Sequence, residues 1–341
     1  MATNHLTLLL GTIAALVGAG VVYQRAGSRA AARRFPPPGA LIDVGGHRLH
    51  VKCSGDGFPP VVLESGIAAS SLSWSVVAAQ VAAFTRVCTY DRAGLAWSDA
   101  PSSPRTFTRM VDELEAVIAH AAAGERCILV GHSFGSFLVR GYACRHPDSV
   151  AGMVLVDPAV EWLTPDPERA YRLRRAQQLA RIGAWLSIVG IPRVCLALLV
   201  GGAPAAPRGF SRLFGQTVAQ TLNRLVGEVR KLPPSTYPLM QAFWSEPKCY
   251  RAMADHLAAL ERDGEAMARI EPPPEIPVVV ISSGAQPPEQ IEAQRKLAEA
   301  SRAGRHLIAG RSSHWIQFDR PELVAAAVRD LLDRDRNLAQ P

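Results

Sequence analysis

The pentapeptide Gly131-His132-Ser133-Phe134-Gly135 has the residue types and spacing of a reacting centre. The apolar run Cys127-Ile128-Leu129-Val130 leads into it and helix-like residues 136–143 lead out, so Ser133 falls on a strand-to-helix turn. A turn that sharp strains the serine backbone, and Gly131 and Gly135 have no Cβ to collide with neighbouring chain. The hydroxyl is then held at the strand's carboxyl end, beside a helix N-terminus whose free N–H groups and positive dipole suit a developing oxyanion. The chemistry this points to is nucleophilic attack on an acyl carbon. A serine hydroxyl is a weak nucleophile unaided, and imidazole can take its proton near neutral pH. Of nine histidines, His314 in Gly310-Arg311-Ser312-Ser313-His314-Trp315 is the candidate base. His5 precedes an apolar run, His47 and His50 lie on a hairpin, and His120 and His146 fall late in helices. His132 is an elbow residue, His256 lies in a helical insertion and His306 begins a strand. Two carboxylates could orient the base. Asp157 ends the run Val154-Leu155-Val156, and Glu289 is the one acid in the loop Ser282-Ser283-Gly284-Ala285-Gln286-Pro287-Pro288-Glu289. Sheet-edge geometry favours Asp157; Glu289, or a serine–histidine dyad, stays open.

The elements that must position these groups follow from the hydrophobic rhythm. Residues 41–53 read as a hairpin with Gly45-Gly46 at the turn. Short apolar runs then recur at 61–63, 87–90, 127–130, 153–156, 278–281 and 306–308, separated by helical stretches. Continuous apolar strands with helices between them imply a parallel sheet covered on both faces. Residues 106–123 read as a helix closed by Gly124, and Asp319-Arg320-Pro321-Glu322 reads as the cap of a final helix ending near Asp335. About 120 residues between Val156 and Val278 carry no strand signal and are too many for a connection, so an inserted helical unit is expected there.

With a strand before the elbow, a helix after it and a late histidine, the chain resembles the α/β-hydrolase superfamily, in its serine esterase or lipase-like branch with a helical cap. The resemblance covers roughly residues 41–335. It implies an α/β-hydrolase fold: a mostly parallel eight-stranded sheet, helices on both faces and an inserted cap. The expected division is an apolar segment and Pro-rich linker at 1–40, a first core part at 41–160, a cap at 161–269 and a second core part at 270–341. The family places its catalytic histidine after the last strand, where His314 stands, and Ser133, Asp157, His314 is its triad order. It supplies oxyanion donors from the residue after the nucleophile, here Phe134 N–H, and from the loop after the third strand, here Ile67 N–H, although Leu63-Glu64-Ser65-Gly66-Ile67 lacks the His-Gly of many relatives. Relatives commonly carry the acid after the strand at 278–281, where only Glu289 is found. Asp91-Arg92-Ala93-Gly94 resembles the family's D-R-x-G turn and is read as structural, Asp91 tying down the loop. Serine in the elbow implies hydrolysis of a small-molecule carboxylic ester, with an apolar or small acyl group, through an acyl-enzyme. A thioesterase, lactonase or C–C bond hydrolase on the same site, or a noncatalytic membrane-tethered binding protein of this fold, are the alternatives.

Composition narrows the rest. The 341 residues are 48% hydrophobic and 20% charged, the balance of a chain that buries a core. The net charge of +7 owes four units to Arg25, Arg29, Arg33 and Arg34. The excess is a flank with no groove-reading or stacking motif, so no nucleic-acid partner is expected. No metal-ligand cluster or phosphate-cradling loop is visible, so no cofactor is expected, and the six scattered cysteines read as mostly buried thiols. Residues 6–23 are uncharged and would cover about 27 Å as a helix, close to a hydrocarbon core. A single N-terminal membrane anchor is the favoured reading, and the arginines after it place the catalytic domain in the cytoplasm. Export after cleavage of a signal, or a helix docked on the domain, are the other readings. In the insertion, Arg169, Arg172, Arg174, Arg175 and Arg181 precede the apolar stretch 182–202, either as a basic helix facing an interface or as a solvated helix followed by a packed one.

Overall fold

The computed structural model describes residues 2–160, 162, 166–200 and 231–338. The expected cap residues 201–230 lie outside them. The chain divides into two compact units, Pro37–Arg175 with Asp255–Pro341, and Met1–Pro36 with Ala176–Ala254.

The first unit holds one eight-stranded sheet in the order β1-β2-β4-β3-β5-β6-β7-β8. β1 (Ala40–Asp43) and β2 (Arg48–Ser54) form the hairpin. Its turn uses Gly45 and Gly46 at φ +94° and +93°, and Asp43 Oδ1 accepts both of their N–H groups. β2 pairs antiparallel with β4 (Val87–Tyr90). From β4 onward every pairing is parallel, through β3 (Val61–Glu64), β5 (Cys127–His132), β6 (Val150–Val156), β7 (Val278–Ser283) and β8 (Arg305–Ala309).

The central strands are buried on both faces, which is why they read as unbroken apolar runs. Val62, Leu129, Leu155 and Val280 point to one side, into Val111 and Leu114 of α3 (Phe107–Ala122) and Phe137 and Leu138 of α4 (Gly135–Arg145). Their neighbours Val61, Val130, Val154 and Val279 point to the other side, into Val77 of α2 (Ser75–Val81) and Val328 and Leu331 of α11 (Pro321–Leu338). Each such side chain contributes roughly 1.5–3 kcal/mol by leaving water. The α3 boundaries follow its end chemistry: Thr106 Oγ1 accepts Arg109 N–H at 3.1 Å, and Ala123 and Gly124 turn left-handed. Asp319, expected to cap the last helix, instead closes the one-turn α10 (Ile316–Asp319), and its Oδ2 accepts from Ser313 N–H at 2.8 Å and Ser313 Oγ at 2.6 Å.

The second unit joins α1 (Ala2–Arg34) to helical residues of the insertion. Among the described residues the regular elements of the insertion are helices, among them α5 (Pro167–Ile188), α6 (Ile191–Val200), α7 (Tyr237–Trp244) and α8 (Pro247–Ala268). Its bounds differ from the expected 161–269, because α5 and α8 are long helices that each begin in one unit and end in the other. Residues 5–19 of α1 are exposed, while Gln24 is buried and donates from Nε2 to Ser245 O at 3.0 Å.

Two cysteines depart from the expectation of buried thiols. Cys53 and Cys88 stand opposite each other in the β2–β4 register and form a disulfide. Cys127, Cys144, Cys195 and Cys249 are free. Titration of the denatured, unreduced protein is expected to find those four thiols, and the full six only after reduction.

His256 is buried with neither ring nitrogen bonded among the described residues. Burial first, then the charges of Arg92 and Arg105, hold its pKa well below the ordinary 6.5. The folded state therefore refuses a proton that the unfolded state accepts, so stability is full above about 6.5 and falls as pH drops below it. Urea midpoints should decline between pH 6.5 and 5 in the parent and less steeply in His256→Phe; equal slopes would remove this histidine from the acid response.

Candidate active site

Ser133 follows β5 directly, at φ +51°. That left-handed conformation costs a residue with a Cβ roughly 1–2 kcal/mol, and its surroundings hold it there. Ser133 N–H donates to Val156 O of β6 at 3.0 Å, and Ser136 N–H and Oγ return to Ser133 O. A Cβ on Gly131 would stand 2.8 Å from Val139 Cγ2, and one on Gly135 would stand 2.7 Å from Glu64 Cγ and from the Glu64 and Ser65 carbonyls. The two glycines thus let α4 fold back on β5 and let the end of β3 reach the elbow.

Asp157 occupies the corresponding position after β6, at φ +42°, and is fully buried. Four donors converge on its carboxylate. Oδ2 meets His314 Nδ1 at 2.6 Å and Gln286 Nε2 at 2.7 Å; Oδ1 accepts Ser283 N–H and Gln294 Nε2, both at 3.1 Å. Burial alone would raise the carboxyl pKa, but the His314 hydrogen bond and charge, together with Gln286 and Ser283, outweigh it and hold the group below its ordinary value. Because a carboxylate can only accept, His314 Nδ1 carries a proton and its Nε2 is left for another partner. His314 is half-buried, on the loop between β8 and α10, and that loop is fixed by Ser283 Oγ donating to Ser312 O at 2.7 Å and by Ser313 on Asp319. Glu289 is not brought into this group: it lies exposed in the first turn of α9 (Pro288–Glu299).

His132 packs against His314. Its ring centroid lies 4.7 Å from that of His314 and its Nε2–H donates to His314 O at 2.9 Å. Burial first, then the His314 charge, lower its pKa to about 3, so it stays neutral. Gly66 passes close by: a Cβ there would lie 2.7 Å from His132 Nδ1 and 3.6 Å from Ser133 Cβ. Ile67 N–H is therefore on the loop beside the elbow, and neither it nor Phe134 N–H is consumed by a hydrogen bond among the described residues.

Several residues of this site carried no functional reading in the sequence. The Arg92 guanidinium is buried, bonds Glu64 and the Ser65 and Gly66 carbonyls, and lies 5.3 Å from the centroid of the Phe134 ring. Tyr90 also bonds Glu64, whose carboxyl is raised to about 7 by burial against the pull of Arg92. The position of Arg92 in the D-R-x-G turn was the available signal. Asp91 ties down its loop, accepting Ser71 N–H at 2.8 Å and meeting His50 Nδ1 at 2.8 Å. Gln286 and Gln294 had no signal beyond lying after β7. Among the described residues no group of His, Cys, Asp and Glu is arranged to hold a metal ion.

Residues 59–186 match the family described as the alpha/beta hydrolase fold. A probable transporter of Hormonema carpetanum, efuK, is 36% identical over 133 residues, covering 37% of this chain and 19% of that protein. A 2-hydroxymuconate semialdehyde hydrolase of Pseudomonas sp. (strain CF600) is 32% identical over 133 residues, covering 38% of this chain and 46% of that enzyme. The chain spans less than half the length of either. A thermophilic esterase of Thermogutta terrifontis superposes with a TM-score of 0.57 at 17% identity, over 86% of this chain and 97% of that one, a likeness of fold. By its sheet order, its strand-to-helix elbow and these matches, the chain has the α/β-hydrolase fold.

Proposed function

We propose that this chain is a serine hydrolase that cleaves carboxylic esters through an acyl-enzyme on Ser133. The observation that carries the reading is the hydrogen bond from His314 Nδ1 to the buried Asp157, 2.6 Å long, beside a serine held at φ +51°. In this reading His314 Nε2 takes the Ser133 proton as Oγ attacks the ester carbonyl, and Asp157 steadies the imidazolium that forms. Phe134 N–H and Ile67 N–H receive the developing oxyanion, on a loop oriented by Arg92. His314 returns the proton to the departing alcohol, and a water activated in the same way releases the acid. Trp315 and Phe318, stacked with centroids 5.2 Å apart next to His314, make the neighbourhood apolar and favour an apolar acyl group. The similarity to the Pseudomonas hydrolase supports C–C bond cleavage on the same groups as the second reading.

The same proposal makes α1 a membrane anchor. Residues 5–34 form one helix, and its most apolar 18-residue stretch has a mean hydropathy of 2.1 with no residue buried. The arginine flank favours a cytoplasmic catalytic domain, whereas a formed Cys53–Cys88 bridge favours an oxidising compartment. The bridge is a covalent feature of the domain itself and the flank a bias beside it, so the domain is assigned to the oxidising side. Six reactive thiols in place of four would return it to the cytoplasm.

With a chain-length series of chromogenic esters, Ser133→Ala should lose turnover by ~10⁴-fold or more together with labelling by a serine-reactive phosphonate. Asp157→Asn should lose roughly 10³–10⁴-fold, and Glu289→Gln should match the parent. Loss in Glu289→Gln with none in Asp157→Asn would reassign the acid. Labelling without ester turnover would favour the C–C bond reading, and a folded protein that is neither labelled nor active would refute the serine mechanism. Full-length protein should stay in the membrane pellet through a carbonate wash; release would refute the anchor.

A further inference from the structure

The bend between α5 and α6 has a surface that neither the fold nor the proposed catalysis accounts for. The two helices meet at 94°, with Gly190 at φ +77° in the turn. From residue 182 to 198 every exposed side chain is apolar: Ile182, Trp185, Ile191, Val194, Ala197 and Leu198. Trp185 is 74% exposed. The one charge in this stretch, Arg193, is turned inward, where Nη2 meets Glu246 Oε1 at 2.8 Å and Nε donates to Gln24 Oε1 at 2.9 Å. An elbow whose polar groups are withdrawn and whose outward face is apolar is built against an apolar phase.

The occupant follows from where α1 packs, within the same unit. A Cβ on Gly20 would stand 2.6 Å from Val189 O, one on Gly190 would stand 2.8 Å from Tyr23 Cδ1, and one on Gly27 would stand 2.7 Å from Arg193 Nε. The elbow is thus level with residues 20–27 of α1. Residues 6–23 span about 27 Å as a helix, and Gly20 lies roughly 21 Å along from Leu6. Val189 is therefore some 4–5 Å inside the end of the apolar stretch. If α1 crosses a bilayer with that stretch in the hydrocarbon, the elbow must enter the headgroup region beside it.

We propose that residues 182–198 are a second membrane contact, seated at the boundary of headgroups and acyl chains next to α1. Trp185 is an exposed amphipathic ring of the kind that gathers at that boundary, and Arg181, exposed one residue before the apolar stretch, has the length and charge to reach phosphate groups. Burial of Arg193 with Glu246 removes the charge that would otherwise forbid this depth. The inference rests on the reading of α1 as an anchor and adds to it: an anchor needs only α1, whereas this contact orients the whole unit on the surface.

The test uses full-length protein in vesicles of phosphatidylcholine and phosphatidylglycerol containing a radiolabelled phospholipid. Benzoylphenylalanine replaces Trp185, Val194 or, as an exposed control, Arg172, and each variant is checked for the parent's thermal transition. Photolysis is expected to attach lipid at 185 and 194 at least roughly fivefold more than at 172, given an apolar face sunk into the acyl boundary. Carbonate-resistant protein with equal lipid attachment at all three positions overturns the second contact and spares the anchor. Release by carbonate overturns both. Crosslinks from 185 and 194 to a second copy of the chain in place of lipid also overturn it, because the face would then be a protein interface.

Discussion

The left-handed backbone of Ser133 is the constraint on which the rest of the site depends. It is unfavourable for any residue with a Cβ by roughly 1–2 kcal/mol, and nothing in the serine side chain relieves it. The cost is met by neighbours that would be less well placed without it. Ser133 N–H reaches across to Val156 O, which extends the β5–β6 pairing one step past the last strand residue and sets Asp157 directly beyond. Gly135 gives up its side chain so that Glu64 and Ser65 can close on the first turn of α4. One strained residue therefore fixes three strand ends, β3, β5 and β6, at a common edge.

Glu64 and Arg92 show how that edge is kept rigid. A buried ion pair gains little net stability, because desolvation consumes most of the Coulomb term. Its value here is directional. The guanidinium has several donors in a fixed plane, and it spends them on Glu64 and on two successive carbonyls, those of Ser65 and Gly66. Holding both carbonyls fixes the peptide planes on either side of Gly66, and so the direction of the Ile67 N–H that follows. A lysine at 92 would offer a point charge without that plane.

Legibility in the sequence followed the range of the interactions. The sheet could be read because strands buried on both faces must be apolar throughout, and the elbow because its sterics demand glycine at two positions. Asp157 could be placed at the edge of the sheet, and His314 by its position after the last strand, where the resembled family puts its histidine. The Cys53–Cys88 bridge could not be read, since its partners are 35 residues apart and meet only through the β2–β4 register. Gln286 and Gln294 were invisible because a primary amide carries no motif. The docking face of α1 was hidden for a similar reason: Gly20, Gln24, Gly27 and Ser28 look like interruptions in an apolar run, when small and polar residues are what allow close approach and bonding to Val189, Arg193 and Glu246.

The place of the carboxylate has a geometric explanation. β6 and β7 are adjacent parallel strands, about 4.8 Å apart, and Asp157 N–H donates to Ile281 O at 2.7 Å, so the loops after them leave the sheet side by side. An acid at either strand end can reach the same imidazole. This chain carries it after β6, and the end of β7 and the loop after it hold donors in its place: Ser283 N–H and Gln286, with Gln294 behind them on α9. A carboxylate there, at Ser283 or Gln286, would set two negative charges within a few ångströms and raise the pKa of one of them. The donors instead satisfy both oxygens of Asp157 and, after the His314 hydrogen bond and charge, help hold its carboxyl below the ordinary value.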